Sequence, residues 1–116
     1  MSQPEKSLRD KLADAVVMIE KAGREYATAR GLSWNLQELR KVVLAEETRK
    51  AEGSSMTEKE TNARCSTAYK THLDGTSQAI KDELIKKAVC ERWKAQWDSL
   101  RSLISFEKTQ METFQE

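Results

Sequence analysis

Apolar residues recur along the first third of the chain with the spacing of a coiled-coil helix. They follow one another at alternating intervals of four and three residues, which places them on one helix face. Small and large residues alternate in this series, an arrangement that permits close approach of a neighbouring helix: Leu8, Leu12, Ala15, Ile19, Ala22, Tyr26 and Ala29. The pattern predicts a first helix over about residues 5–30, with Gly31 as its C-terminal stop.

Capping and breaking residues divide the rest of the chain into three further helices. Asn35 begins a capping box, and Trp34 before it is placed for a hydrophobic staple with Leu39. A flexible loop is expected near residues 52–56, and Gly75 with the candidate N-caps after it favours a break or kink. The predicted helices are therefore at about 36–51, 58–74 and 77–113.

The last predicted helix contains two of the three tryptophans, one turn apart on one face. They belong to an apolar series, here called the tryptophan seam: Cys90, Trp93, Trp97, Leu100 and Ile104. Three interpretations stay open, and they can overlap. The indoles pack inside the chain against the small residues of the first helix, or they form an interface with a second copy or a partner. As a contributory role, they stack on the bases of single-stranded nucleic acid.

A basic residue also repeats every seven positions along this helix. If Cys90 is heptad position a, these residues all occupy position e; they are here called the basic row: Lys87, Lys94, Arg101 and Lys108. Acidic residues four positions later favour a solvated, salt-bridged edge. The alternative is that the row binds the phosphate groups of a nucleic acid. An oligomer that combines several such rows would bind the nucleic acid more tightly than one subunit does. A second basic group is interpreted as a solvated face: Arg40, Lys41, Arg49 and Lys50.

Composition supports a helical chain with a thin core. The chain has 116 residues, of which 38% are hydrophobic and 34% charged, whereas ordinary globular chains are about 25% charged. Such a core often needs a second copy for stability, so a homo-oligomer is expected. The expected fold is all-α in a single domain: an elongated antiparallel hairpin or bundle of three to four helices with a long C-terminal helix and coiled-coil-like packing.

The sequence lacks the residue patterns of catalytic and cofactor sites. The single histidine, His72, is expected at the surface, and no set of ligands has the spacing of a metal site. Cys65 and Cys90 are interpreted as reduced thiols of a cytoplasmic protein. No signal peptide, membrane span or cofactor is expected, and a non-enzymatic protein is predicted.

The stretch from Ala88 to Lys108, AVCERWKAQWDSLRSLISFEK, resembles the C-terminal helix of phage recombination mediator proteins of the T4 type. The resemblance lies in the layout over roughly residues 60–112: a helical first half, a charged hinge, and a long helix with aromatic and then basic residues. It implies a small oligomer that binds single-stranded DNA and a recombinase, in the host cytoplasm if the chain is phage-encoded.

The sequence is therefore compatible with two functions. The first is a non-catalytic accessory protein of DNA recombination whose basic row contacts phosphates. The second is a helical adaptor or inhibitor that docks on a protein partner such as a host factor, with Trp93 and Trp97 as hot spots. The net charge of +1 argues against a protein that holds duplex DNA by bulk electrostatics.

Overall fold

A computed structural model describes residues 6–115 of the chain. Within them the chain forms three α-helices and no strand: α1 from Leu8 to Lys50, α2 from Met56 to Arg64, and α3 from Thr67 to Gln115. The predicted all-α class with a long C-terminal helix is thus confirmed. The predicted start of the first helix, near residue 5, lies outside the described residues.

Helix α1 continues without interruption past Gly31, where the sequence predicted its end. The expected capping box at Asn35 and the staple of Trp34 are therefore wrong, because both residues lie in the middle of α1. The reason is tertiary: the four-and-three spacing of buried positions continues from Ala29 to Ser33, whose side chain is fully buried. Packing on both sides of the glycine outweighs its weak helix propensity.

The break expected between residues 74 and 77 is also absent, since α3 runs through Gly75. The chain breaks instead at Cys65 and Ser66, between α2 and α3. The Ser66 hydroxyl accepts a hydrogen bond from the backbone N–H of Tyr69 at 3.2 Å. This is the geometry of a helix N-cap.

The loop predicted near residues 52–56 is found at residues 51–55, and its polar groups fix the start of α2. The Ser55 hydroxyl accepts a hydrogen bond from the backbone N–H of Glu58 at 3.2 Å. The Glu58 carboxylate in turn accepts one from the Ser54 hydroxyl at 2.7 Å. Glycine suits position 53, because a Cβ there would lie 3.0 Å from the backbone nitrogen of Lys59, closer than ordinary van der Waals contact.

The chain divides into two compact units. The first combines α1 up to Tyr26 with α3 from Lys86 onward. Its two segments are antiparallel, because Glu25 Oε2 lies 3.8 Å from Lys86 Nζ at one end and Leu8 lines a cavity with Ile104 at the other. The side chains buried in this unit are small or apolar: Ala15, Ala22, Cys90 and Leu100.

The second unit comprises residues 27–85, and its interior is partly polar. His72 Nε2 donates a hydrogen bond to the Leu36 carbonyl oxygen at 2.9 Å and is half-buried, so the expectation of a surface histidine is wrong. The Thr76 hydroxyl is buried and donates to the His72 carbonyl oxygen at 2.8 Å. These bonds satisfy polar groups that would otherwise be costly to bury.

Replacing Gly31 with alanine tests the continuity of α1. We expect Gly31→Ala to raise the free energy of unfolding by about 1 kcal/mol, because alanine is the better residue in a helix interior. A Cβ at Gly31 meets no atom within 4 Å. The measurement is urea denaturation followed by circular dichroism. Destabilisation would mean that Gly31 adopts the left-handed conformation of a helix terminus, and that α1 ends there.

Candidate nucleic-acid interface

The tryptophan seam faces the interior of the first unit. Cys90 and Leu100 are buried, and the other three members of the seam are half-buried. The antiparallel register set by Glu25 and Lys86 places Ala15 at about the level of Trp97, where a small residue leaves room for an indole. The geometry favours the interpretation in which the indoles pack inside the chain.

The basic row lies beside this seam, and all four of its side chains are exposed. Because α3 is continuous from Lys87 to Lys108, residues seven positions apart occupy the same edge of the helix. At 1.5 Å per residue, successive members are separated by about 10.5 Å and the row spans about 32 Å. The heptad pattern that buries the tryptophan seam therefore also aligns the cations.

The ion pairs expected along this edge are not formed. Over the described residues, no carboxylate lies within 4 Å of the charged nitrogens of Lys87, Lys94, Arg101 or Lys108. The expected partners four positions later are Glu91, Asp98 and Glu112. A lysine followed by an acid is the weaker order for such a pair, worth a few tenths of a kcal/mol, which does not offset the entropy of ordering two long side chains. Among residues 6–115, the row thus presents four cations without a carboxylate partner.

Arg101 differs from the three lysines because an aromatic ring holds it in place. Its guanidinium carbon lies 5.1 Å from the centroid of the Trp97 ring, within the range of a cation–π interaction. One helical turn separates the two residues, so this contact is local to α3. The planar guanidinium keeps an outer face, and such planes can stack on nucleobases.

Arg9 was missed by the sequence analysis as a neighbour of the basic row. It lines a cavity of about 320 Å³ together with Lys108 and Met111. In the heptad pattern of α1, Leu8 occupies position d and Arg9 position e. The basic row occupies position e of α3, and e positions face one another across an antiparallel helix pair. The seven-residue pattern of α1 could have identified Arg9, because it places this residue at position e. Arg9 adds a fifth cation near the C-terminal end of the row.

Metal-ligating side chains do not cluster in the part of the chain that the structure describes. No group of three or more histidine, cysteine, aspartate or glutamate side chains among these residues is placed to hold a metal ion. Both cysteines are free thiols, with Cys65 exposed and Cys90 buried. Nor does any helix between residues 6 and 115 have an apolar stretch of the length needed to cross a bilayer.

Comparison with protein-family models, with curated proteins and with solved structures finds no match to the chain. The resemblance of residues 88–108 to recombination mediators therefore has no relative or structural neighbour behind it, and it stays a prediction.

Proposed function

We propose that this chain is a non-catalytic accessory protein that binds single-stranded DNA along the basic row. The observation that carries the proposal is the row itself: four exposed cations on one helix edge, none with a carboxylate within 4 Å over the described residues. Unpaired cations bind phosphates by releasing counterions, and they do so without breaking an internal ion pair.

A single strand suits the row better than a duplex does. Four cations spread over about 32 Å of one helix form a narrow line, and the net charge of +1 gives little long-range attraction for duplex DNA. A flexible strand can bring its phosphates to a straight line of charges. The guanidinium of Arg101, supported by Trp97 at 5.1 Å, adds a plane on which an unpaired base can stack.

The resemblance to recombination mediators adds a recombinase as the protein partner and a small oligomer as the active form. An oligomer would combine several rows, and linked sites of modest affinity bind a polymer far more tightly than one site does. The protein-partner alternative draws less support from Trp93 and Trp97, because both indoles are half-buried.

The test is binding of a fluorescent oligothymidylate over a salt series. For four phosphate contacts we expect the logarithm of the binding constant to fall with the logarithm of salt concentration with a slope of about −3, at about 0.7 per contact for single strands. Fluorescence anisotropy from about 20 to about 300 mM salt measures this slope. Light scattering with and without the oligonucleotide gives the mass of the complex.

Two controls separate strand binding from general attraction to anions. A duplex of the same length and a polyglutamate of similar charge should bind more weakly than the oligothymidylate. Absence of binding at the lowest salt would refute the proposal. Equal binding of polyglutamate would refute the part of the proposal that depends on bases.

A further inference from the structure

The exposed tryptophan of this chain is Trp34, in the middle of α1. Its side chain is 63% exposed, whereas Trp93 and Trp97 are half-buried. Tryptophan is among the residues most enriched at the energetic centres of protein interfaces. Trp34 lies in the second unit, so the tryptophan seam does not account for it.

Two adjoining cavities follow Trp34 along α1. Trp34 lines neither of them, but the helix period places it on the same side of α1 as Glu38 and Lys41, which do. Gln37 and Glu38, one turn after Trp34, line a cavity of about 450 Å³ with Leu73 and Ile80 of α3. Lys41 lines this cavity and also the next, of about 590 Å³. Leu44, Ala45 and Met56 provide the apolar part of the second cavity. We call this surface, from Trp34 to Thr48, the Trp34 groove; it covers about 21 Å of helix.

Cations outnumber acids around the groove. Four basic side chains line the two cavities: Arg40, Lys41, Arg49 and Lys59. Two acids, Glu38 and Glu60, accompany them. In the described part of the chain none of these six side chains has an ion-pair partner within 4 Å. The groove thus combines apolar walls with an unneutralised excess of positive charge.

The C-terminal end of α3 has the complementary character. Four large apolar side chains on it are exposed: Leu103, Phe106, Met111 and Phe114. Leu103, Phe106 and Phe114 lie on one face with Gln110, because their spacing of three, four and four residues follows the helix period. The acids Glu107 and Glu112 accompany them, with Lys108 as the single base between residues 103 and 114. This segment spans about 16 Å, so it fits within the length of the groove.

We propose that the C-terminal end of α3 of one copy of this chain docks in the Trp34 groove of a second copy. An amphipathic helix laid in an apolar groove is a common mode of recognition, with anchors spaced as on this face. The contact joins two different surfaces, so it is heterologous and can extend to a ring or an open chain. The proposal does not rest on DNA binding, although the docked segment includes Lys108 of the basic row, and its test contains no oligonucleotide.

The experiment measures self-association by sedimentation and light scattering over a concentration series. The wild-type chain should exceed its monomer mass of 13.3 kDa. Trp34→Ala in the groove and Phe106→Ala on α3 should each weaken association at least tenfold, as should the charge reversal Lys41→Glu. Since these side chains are exposed, helicity by circular dichroism should not change.

A mixture of two variants gives the sharpest outcome. Trp34→Ala retains an intact α3 end, and Phe106→Ala retains an intact groove, so the two mixed chains should form a 1:1 dimer although each alone is weakened. Leu39→Ala is the matched control, because Leu39 is also exposed on α1 but lies five residues from Trp34, which places it on a different side of the helix.

Three outcomes would overturn the proposal. If the wild-type chain stays monomeric at millimolar concentration, a second copy does not occupy the groove, and its ligand is a different protein. If Leu39→Ala weakens self-association as much as Trp34→Ala does, the groove is not the interface. Loss of association in the mixture as well as in each variant indicates that like surfaces pair instead.

Discussion

Replacing Leu100 with alanine should lower the free energy of unfolding by about 3 kcal/mol, within the range for buried leucines. The side chain is 7% exposed in the first unit, and the antiparallel register there places it near the level of Leu12. A chain with so few large buried side chains has little scope to close the cavity that the substitution leaves. Urea denaturation followed by circular dichroism measures the change.

Leu103→Ala is the matched control for this prediction. Both leucines lie on α3, three residues apart, but Leu103 is 51% exposed. We expect its replacement to change the free energy of unfolding by about 0.5 kcal/mol or less, as for surface substitutions. Equal effects of the two substitutions would mean that the tryptophan seam does not face the core of the first unit. Measurements at low protein concentration keep self-association from masking the difference.

The buried residues of the first unit, Leu100 among them, could be predicted from the sequence. The buried positions of this unit are almost all apolar, and their spacing of three and four residues specifies a single face. Ala15 and Ala22 on α1 and Cys90 and Leu100 on α3 are buried as that spacing predicts. Hydrophobic periodicity identifies a core well where every core position is apolar.

The second unit was harder to predict because polar residues occupy its core positions. Ser33, His72 and Thr76 continue the same spacing, and each makes a hydrogen bond within the unit. A search for apolar residues selects Leu84 and Ile85 instead, and both are exposed. A buried hydroxyl depends on a hydrogen-bond partner that the sequence does not reveal, so these polar core positions cannot be recognised from the sequence pattern.

The basic row illustrates a further limit of sequence patterns. The seven-residue spacing places its members on one edge of α3, and the structure has all four exposed there. Whether each cation pairs with the acid four positions later depends on side-chain conformation. The difference between pairing and solvation is a few tenths of a kcal/mol, too small for spacing to decide.

Reversing two charges of the row should almost abolish binding of single-stranded DNA. At about 50 mM salt, the loss of two phosphate contacts at 0.7 counterions each weakens binding about 60-fold. In Lys94→Glu/Arg101→Glu the new carboxylates also repel phosphates, so this figure is a lower bound. The salt slope should fall from about −3 to about −1.4, since two contacts remain.

The matched control reverses two cations that lie away from the row. Lys21 and Arg92 are exposed residues of the first unit, both at heptad position c, and neither has a carboxylate within 4 Å in residues 6–115. Lys21→Glu/Arg92→Glu changes the net charge by the same amount as the reversal in the row. If the oligonucleotide binds the row, this control should retain most of the affinity and nearly the full slope. Equal losses in the two variants would mean that binding follows overall charge, and that the row is not the interface.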